Sequence, residues 1–308
     1  MPAIITHHLF GEEASLLLPA QLLSTEGEKL AFLLGNQGPD PFFFRIRALP
    51  PTVASCHELG NRMHEGRVFE AFSSLREGVG HLRTADTCVG RAFVLGLLAH
   101  YLLDSTAHPF VYAQENAICG AGVGLEDAHG QVHALIESDI DVWMLRELRG
   151  RAVAEATAAG MLARTRRIGQ VASALLSQTA LEVFGVELSA SEYARCVDDC
   201  EFVYAAIEPA GSPRSRALTA LERAGRRFSL LDALAHAPAR DDDCPAANLA
   251  RRPWADPATG EVSTRSFPDL FQEALDAWGG LSEAYVRSDA DALGARLRQR
   301  NYNGELMG

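Results

Sequence analysis

Apolar residues recur along this chain every three or four positions, interrupted by Gly and Pro, and almost nowhere alternate with polar ones as a half-buried strand requires. The spacing predicts a helix over residues 12–34 that ends at Gly35, then a loop over 35–41 in which Gly, Asn, Pro and Asp favour turns. Helices are next expected over about 53–78, 85–108 and 128–149. Pro109 should stop the third near His108, because a residue before proline avoids the α region. His108 would then occupy a helix terminus. In the second half the helical pattern returns over 152–184, 189–207 and 215–236, with Ala and Leu at core-like spacing. An irregular polar stretch over about 237–266 follows, where Trp254 points to anchoring on the body rather than a free tether. A helix over about 268–286 and a short one after it close the chain. The expectation is an all-α protein whose residues 1–308 form one helical domain, with a metal-ligand half (1–150), a supporting half (151–308) and no internal repeat.

Abundant Ala, Leu, Glu and Arg with few β-branched runs favour helix over strand. The formal charge of -12 speaks against a double-stranded nucleic acid partner, which normally meets a basic patch. It leaves a phosphate-bearing substrate open, since bound metal ions add local positive charge that a net count ignores. The N-terminus lacks the basic start and long apolar run of a signal peptide, and no transmembrane segment of about 18 apolar residues stands out. A cytoplasmic location is therefore expected, with oligomeric state open. The six cysteines form no Cys-x-x-Cys pair and no disulfide pattern. Cys196 and Cys200, one helical turn apart, read as buried free thiols.

Chemistry concentrates near the N-terminus, where nine of the ten histidines fall within the first 133 residues. His100, Asp104 and His108 share a narrow arc of one helix face, and His133 and Glu137 share another. Two such helices facing each other make a multinuclear metal site, because imidazole nitrogen and carboxylate oxygen suit Zn²⁺ and neighbouring first-row ions. A single pair of this kind is more often a surface hydrogen bond. Here His100 follows an apolar run, Phe93 to Ala99, that predicts burial, and a buried histidine beside a buried aspartate needs partners that a metal supplies. His7, Asp40 and His64 carry no signal taken singly. His8, His57, His81, His129 and His236 read as structural or exposed, although His129 lies one turn before His133. No glycine-rich phosphate cradle, Gly-x-Ser-x-Gly elbow or His-Glu-x-x-His occurs.

The order of these pieces resembles the bacterial zinc-dependent phospholipase C family, which is related in fold to the fungal single-strand nucleases of the S1/P1 type. The resemblance rests on Thr6-His7-x-x-Phe10-Gly11, Gly38-Pro39-Asp40, Met63-His64, the run Ala99-His100-Tyr101-Leu102-Leu103-Asp104-Ser105-Thr106-Ala107-His108-Pro109, and His133-x-x-x-Glu137-x-x-Ile140-Asp141. Arg252-Pro253-Trp254 and Pro257-x-Thr259-Gly260 extend it. It covers most of the chain and is densest over residues 5–145.

The resemblance implies an all-α fold of the phospholipase C/P1 nuclease type with two or three zinc ions between helices. One ion would take Asp40, His64, His100 and Asp104; a second His108, His133 and Glu137; a third Asp104 as a bridge with His7 and the first residue's amino group and carbonyl. Well-known members expose a tryptophan there, whereas this chain begins Met1-Pro2. Removal of Met1 would leave the secondary amine of Pro2 to coordinate. The implied activity is phosphodiester hydrolysis by water activated at the metals, with Asp40 as ligand and general base or water orienter, and Asp141 as a supporting carboxylate ahead of Asp139. A phospholipid or small-molecule phosphodiester is the expected substrate. Phe42, Phe43, Phe44, Phe69, Tyr101 and Tyr112 are candidates for an aromatic cage around choline. The alternatives are an S1/P1-like single-strand nuclease, for which the acidic balance is unfavourable, and a non-enzymatic protein that keeps the metals for folding.

Overall fold

The computed structural model describes residues 3–238 and 243–307. Among these residues it is all-α apart from one two-stranded pair and an isolated antiparallel bridge between Arg300 and Leu306. The chain opens with α1 (Ile4–Leu16) and α2 (Glu26–Gly35). The single helix expected over 12–34 is thus two. Pro19 removes a backbone donor in the gap, and Thr25 and Glu28 form a reciprocal capping box that starts α2 afresh. A 3₁₀ turn, Asp40–Phe44, follows in the predicted loop region.

The stretch expected as one helix over 53–78 also divides, into α3 (Pro50–Glu65) and α4 (Val68–His81). At the joint Arg67 takes a left-handed φ of 57°, and its guanidinium caps the carbonyl of Val183.

α5 (Thr84–Ala121) is the centre of the molecule, packing against α2, α4, α7 (Arg166–Thr179) and α11 (Phe267–Val286), and against α1 and α6 (His129–Arg149). It runs straight through Pro109, so the expected stop at His108 does not occur and His108 lies mid-helix. An interior proline costs about 3 kcal/mol. Phe110 and Val111, buried on the continuing helix, each return roughly 1.5–3 kcal/mol when taken out of water, so burial wins. By length and composition α5 is also apolar enough to cross a membrane, but most of its apolar window is packed inside the protein.

α2 lies unusually close to α5. A Cβ on Gly96 would stand 2.0 Å from the Phe32 carbonyl oxygen, and one on Gly35 would stand 2.2 Å from that of Phe93. Only glycine permits this approach, and it brings the turn carrying Asp40 onto α5.

The second half departs from the expected long helices in similar ways. Residues 151–165 are irregular with a 3₁₀ turn at Ala159–Leu162, and α7 (Arg166–Thr179) starts at a Thr165 cap. It runs into a π turn, Ala180–Phe184, ended by Gly185 at φ 67°. α8 (Glu192–Ile207) is followed by α9 (Pro213–Arg223) and the short α10 (Leu230–Leu234), separated at the Ser229 cap. In the irregular stretch that follows, a 3₁₀ turn (Pro245–Ala247) leads to β1 (Trp254–Ala255), which pairs antiparallel with β2 (Val262–Ser263). Trp254 is anchored as expected, its Nε1–H donating to the Arg265 carbonyl at 2.9 Å and its ring meeting Phe110 edge-on. α11 (Phe267–Val286) and α12 (Ala290–Leu297) finish the helices. The wholly buried Trp278 of α11 donates to the Ala14 carbonyl at 3.0 Å, tying the last long helix to the first. Cys196 and Cys200 are buried free thiols.

Candidate metal centre

Five elements deliver side chains to one buried cluster: the first turn of α1 (His7), the 3₁₀ turn (Asp40), the end of α3 (His64), α5 (His100, Asp104, His108) and α6 (His133, Glu137). Ligand-type atoms gather into three groups, each within 4.8 Å: His7, His100 and Asp104; Asp40, His64 and His100; and His108, His133 and Glu137. Buried His/Asp/Glu groups of this kind can hold metal ions. All eight residues singled out from the sequence are therefore brought together.

Asp104 sits between the groups. Its Oδ1 is 3.0 Å from His7 Nε2 and 3.8 Å from His108 Nε2, while its Oδ2 is 3.0 Å from His100 Nε2 and 4.0 Å from His64 Nε2. Asp40 Oδ1 lies 3.1 Å from His64 Nε2, and Glu137 Oε1 lies 3.2 Å from His133 Nε2 and 3.4 Å from His108 Nε2. The His7 and His100 rings stack at 4.0 Å.

The outer nitrogens of four histidines fix what the inner ones offer. His64 Nδ1 meets the Gly60 carbonyl at 2.7 Å, His100 Nδ1 that of Asn36 at 2.9 Å, His108 Nδ1 that of Tyr302 at 2.6 Å, and His133 Nδ1 the Glu115 carboxylate at 2.8 Å. A carbonyl or carboxylate oxygen only accepts, so each Nδ1 must carry a hydrogen, and Nε2 is the ring atom turned to the cluster, where it offers its lone pair once a cation takes the place of any proton on it. Those lone pairs face carboxylate oxygens. Asp40 Oδ1, Asp104 Oδ2 and the Nε2 atoms of His64, His100 and His133 are buried without a hydrogen-bond partner. Burying so many acceptors against one another is costly unless cations lie between them. The edge of a tetrahedron of ~2.0 Å metal–ligand bonds is about 3.3 Å. The shortest separations found here, 3.0–3.4 Å, lie near it, so these residues fit a metal ion.

The electrostatics point the same way. Burial pushes the Asp104 carboxyl up, but His100, His108 and His7 outweigh it and hold the group well below the ordinary carboxylate range. Burial likewise opposes ionisation of Asp40, and His100 and His64 overcome it. His108 is pulled down by burial yet raised to about 9 by Asp104 and Glu137, whereas burial and the neighbouring His100 lower His7. The carboxylates are thus ionised in a site that demands positive charge.

Support comes partly from residues the sequence pattern did not single out. Glu115, two turns beyond His108 on α5, accepts from His133 Nδ1 through Oε2 and from the half-exposed His129 Nδ1 through Oε1 at 2.6 Å. Its seven-residue spacing from His108 was the available signal. The C-terminal segment contributes Tyr302, whose backbone N–H donates to the His64 carbonyl at 3.2 Å and whose ring packs on His64 and His100. Asp141 supports α1 through backbone, not a ligand ring. It accepts the N–H groups of Ile5 and Thr6 at 3.0 and 2.7 Å and pairs with His236 Nε2 at 3.0 Å. His236, read from sequence as structural or exposed, is buried between Asp141 and Glu208. Asp139 instead lines a groove on the other side of α6. The expected role of Met1 and Pro2 lies outside the described residues.

A cavity of about 420 Å³ opens on the cluster, walled by His64, His108 and His133 with Phe43, Asn61, Glu65, Tyr112, Glu115 and Asn303. Of the six aromatic candidates only Phe43 and Tyr112 face it; Phe42 and Phe44 are core, Phe69 lies under Arg298, and Tyr101 is buried with its hydroxyl on the Arg300 carbonyl. Two larger cavities, about 740 and 630 Å³, are lined by none of the cluster's ligand residues. Compared with family models, curated proteins and solved structures, the chain gives no match in any of the three.

Proposed function

We propose that this chain is a zinc-dependent phosphodiester hydrolase of the phospholipase C-like kind, its helices arranged as in that family. One observation carries the reading: four histidines locked with Nε2 inward around ionised carboxylates, beside an open cavity. Zinc bound there supplies Lewis acidity, lowering the pKa of water and polarising the phosphoryl oxygens.

The protein's own residues do the rest. Asp104 offers one oxygen to each side, and its charge offsets that of neighbouring cations. Asp40 would hold a cation with His64 and His100, and its ionised carboxylate, with no hydrogen-bond donor on Oδ1, can orient the attacking water. Asn61 and Asn303 line the cavity as neutral donors for phosphate oxygens. Phe43 and Tyr112, with the carboxylate of Glu65, suit a compact cationic head group. The absence of Lys and Arg from the described lining disfavours a polyanionic nucleic acid strand.

The test is a metal count on purified protein, paired with bis(p-nitrophenyl) phosphate hydrolysis, in wild type and Asp104→Asn. Two or three ions per chain, with both activity and an ion lost in the variant, is the expected outcome. Bound ions without turnover, with unfolding on chelation, would leave a metal-stabilised structural protein, and no ions at all would end the reading.

A further inference from the structure

Against the acidic balance of the whole chain stands one arginine-rich segment, beside a loop that carries Glu126 and Asp127. Over residues 213–228, α9 and the turn after it, five arginines (Arg214, Arg216, Arg223, Arg226 and Arg227) accompany a single acid, Glu222, in a chain of net charge -12. All five are exposed. Glu222 is turned away from them, accepting from the Ser229 hydroxyl at 2.6 Å and the Leu231 N–H at 3.0 Å. Arg223 pairs with Asp232, but among the described residues Arg214, Arg216 and Arg226 have no carboxylate within ion-pair distance.

Exposed aliphatic side chains lie on α9 and on the loop beside it. Val123, at the tip of the α5–α6 loop, is fully exposed, and Leu221 of α9 is 74 % exposed. The two segments touch, since a Cβ on Gly124 would stand 2.4 Å from the Arg227 guanidinium. Ile118, Leu125 and Leu135 join Arg223 and Arg227 along one open groove of about 630 Å³, whose lining also holds Asp232, paired with Arg223, and Asp139. Arginines beside projecting aliphatic residues match a lipid headgroup layer, whose phosphates take the guanidinium groups while the aliphatic side chains enter the boundary beneath. A nucleic acid face would instead interleave the arginines with exposed stacking aromatics.

We infer that the α9 face, with Val123 and Leu221, docks on an anionic lipid surface. This surface is separate from the metal cluster, and its test reads binding, not hydrolysis. Metal-loaded full-length protein is co-sedimented with vesicles of phosphatidylglycerol and phosphatidylcholine in equal parts, and with vesicles of phosphatidylcholine alone. Binding is expected only to the anionic vesicles and should fall steeply with added NaCl. At about fivefold in partition per arginine, the triple variant Arg214→Gln/Arg216→Gln/Arg226→Gln should bind about a hundredfold more weakly. Val123→Asp should weaken binding while leaving metal content and far-UV dichroism unchanged. Equal binding to both vesicle types, no binding, or wild-type binding by the triple variant overturns the inference. So does tighter binding to single-stranded poly(dT) that the triple variant loses, which assigns the face to nucleic acid. A dimer that Leu221→Asp dissociates overturns it too, making the face a self-association surface.

Discussion

Replacing Glu115 with Gln isolates the carboxylate behind His133. In the native protein Glu115 accepts two hydrogen bonds, from His133 Nδ1 at 2.8 Å and His129 Nδ1 at 2.6 Å, and is itself buried. Glutamine keeps the size but has one acceptor oxygen and no charge, so His133 Nδ1–H either faces the amide NH₂, itself a donor, and loses its bond, or keeps a bond to the amide oxygen and loses the anion that raises the basicity of Nε2. Losing a carboxylate of this kind weakens metal affinity by about 10- to 100-fold, or roughly 1.4–2.8 kcal/mol. The effect should be local. His133 groups with His108 and Glu137, while His64 and His100 lean on the backbone carbonyls of Gly60 and Asn36. Competition against a chromophoric chelator should therefore show one ion loosened and the others held as in wild type. His129→Ala, which leaves the His133 bond intact, should change affinity less than Glu115→Gln. Uniform loosening of every ion, or wild-type affinity in Glu115→Gln, would refute the reasoning.

Other perturbations probe the scaffold. His236, in which Asp141 and Glu208 overcome the effect of burial and raise the pKa to about 9, contributes stability that is fully present below its unfolded value near 6.5 and is lost as pH rises through 9. The contribution is on the order of 3 kcal/mol at most. Urea midpoints from pH 6 to 10 should fall for wild type relative to His236→Gln, and parallel curves would count against it. Gly38→Ala places a Cβ 2.2 Å from the His100 ring at a backbone φ of 57°. It should cost about 1–3 kcal/mol from the backbone alone. It should also displace His100 so that metal is lost, and wild-type metal content would show that the turn yields instead.

What the sequence made legible follows from which interactions have a period. The 3.6-residue repeat places His100, Asp104 and His108 on one face of α5, and His133 and Glu137 on one face of α6, as the structure has them. His7, Asp40 and His64 come from three other elements, and nothing local in their sequence signals convergence; only the resemblance placed them together. Helix limits were read less well because the deciding forces are tertiary. Pro109 stays helical since the residues after it are buried, and α2 and α5 approach through Gly35 and Gly96, a contact that spacing alone does not disclose.

The least legible layer is also the one that fixes the chemistry. Three of the four locked histidines are oriented by main-chain carbonyls, those of Asn36, Gly60 and Tyr302, and any residue type supplies a carbonyl. Tyr302 lies 194 positions from the histidine it orients. The segment carrying it is held by Arg300, paired with Asp256 at 2.9 Å, and by Gly304, against which the Pro109 ring closes so tightly that a Cβ would come within 2.5 Å. Pro109 therefore has two consequences at once. It interrupts the backbone ladder of α5, and its ring forms the flat seat on which the C-terminal segment reaches His108. A proline that reads locally as a helix stop serves in the fold as the contact that lets the end of the chain orient His108, a candidate metal ligand 194 residues away.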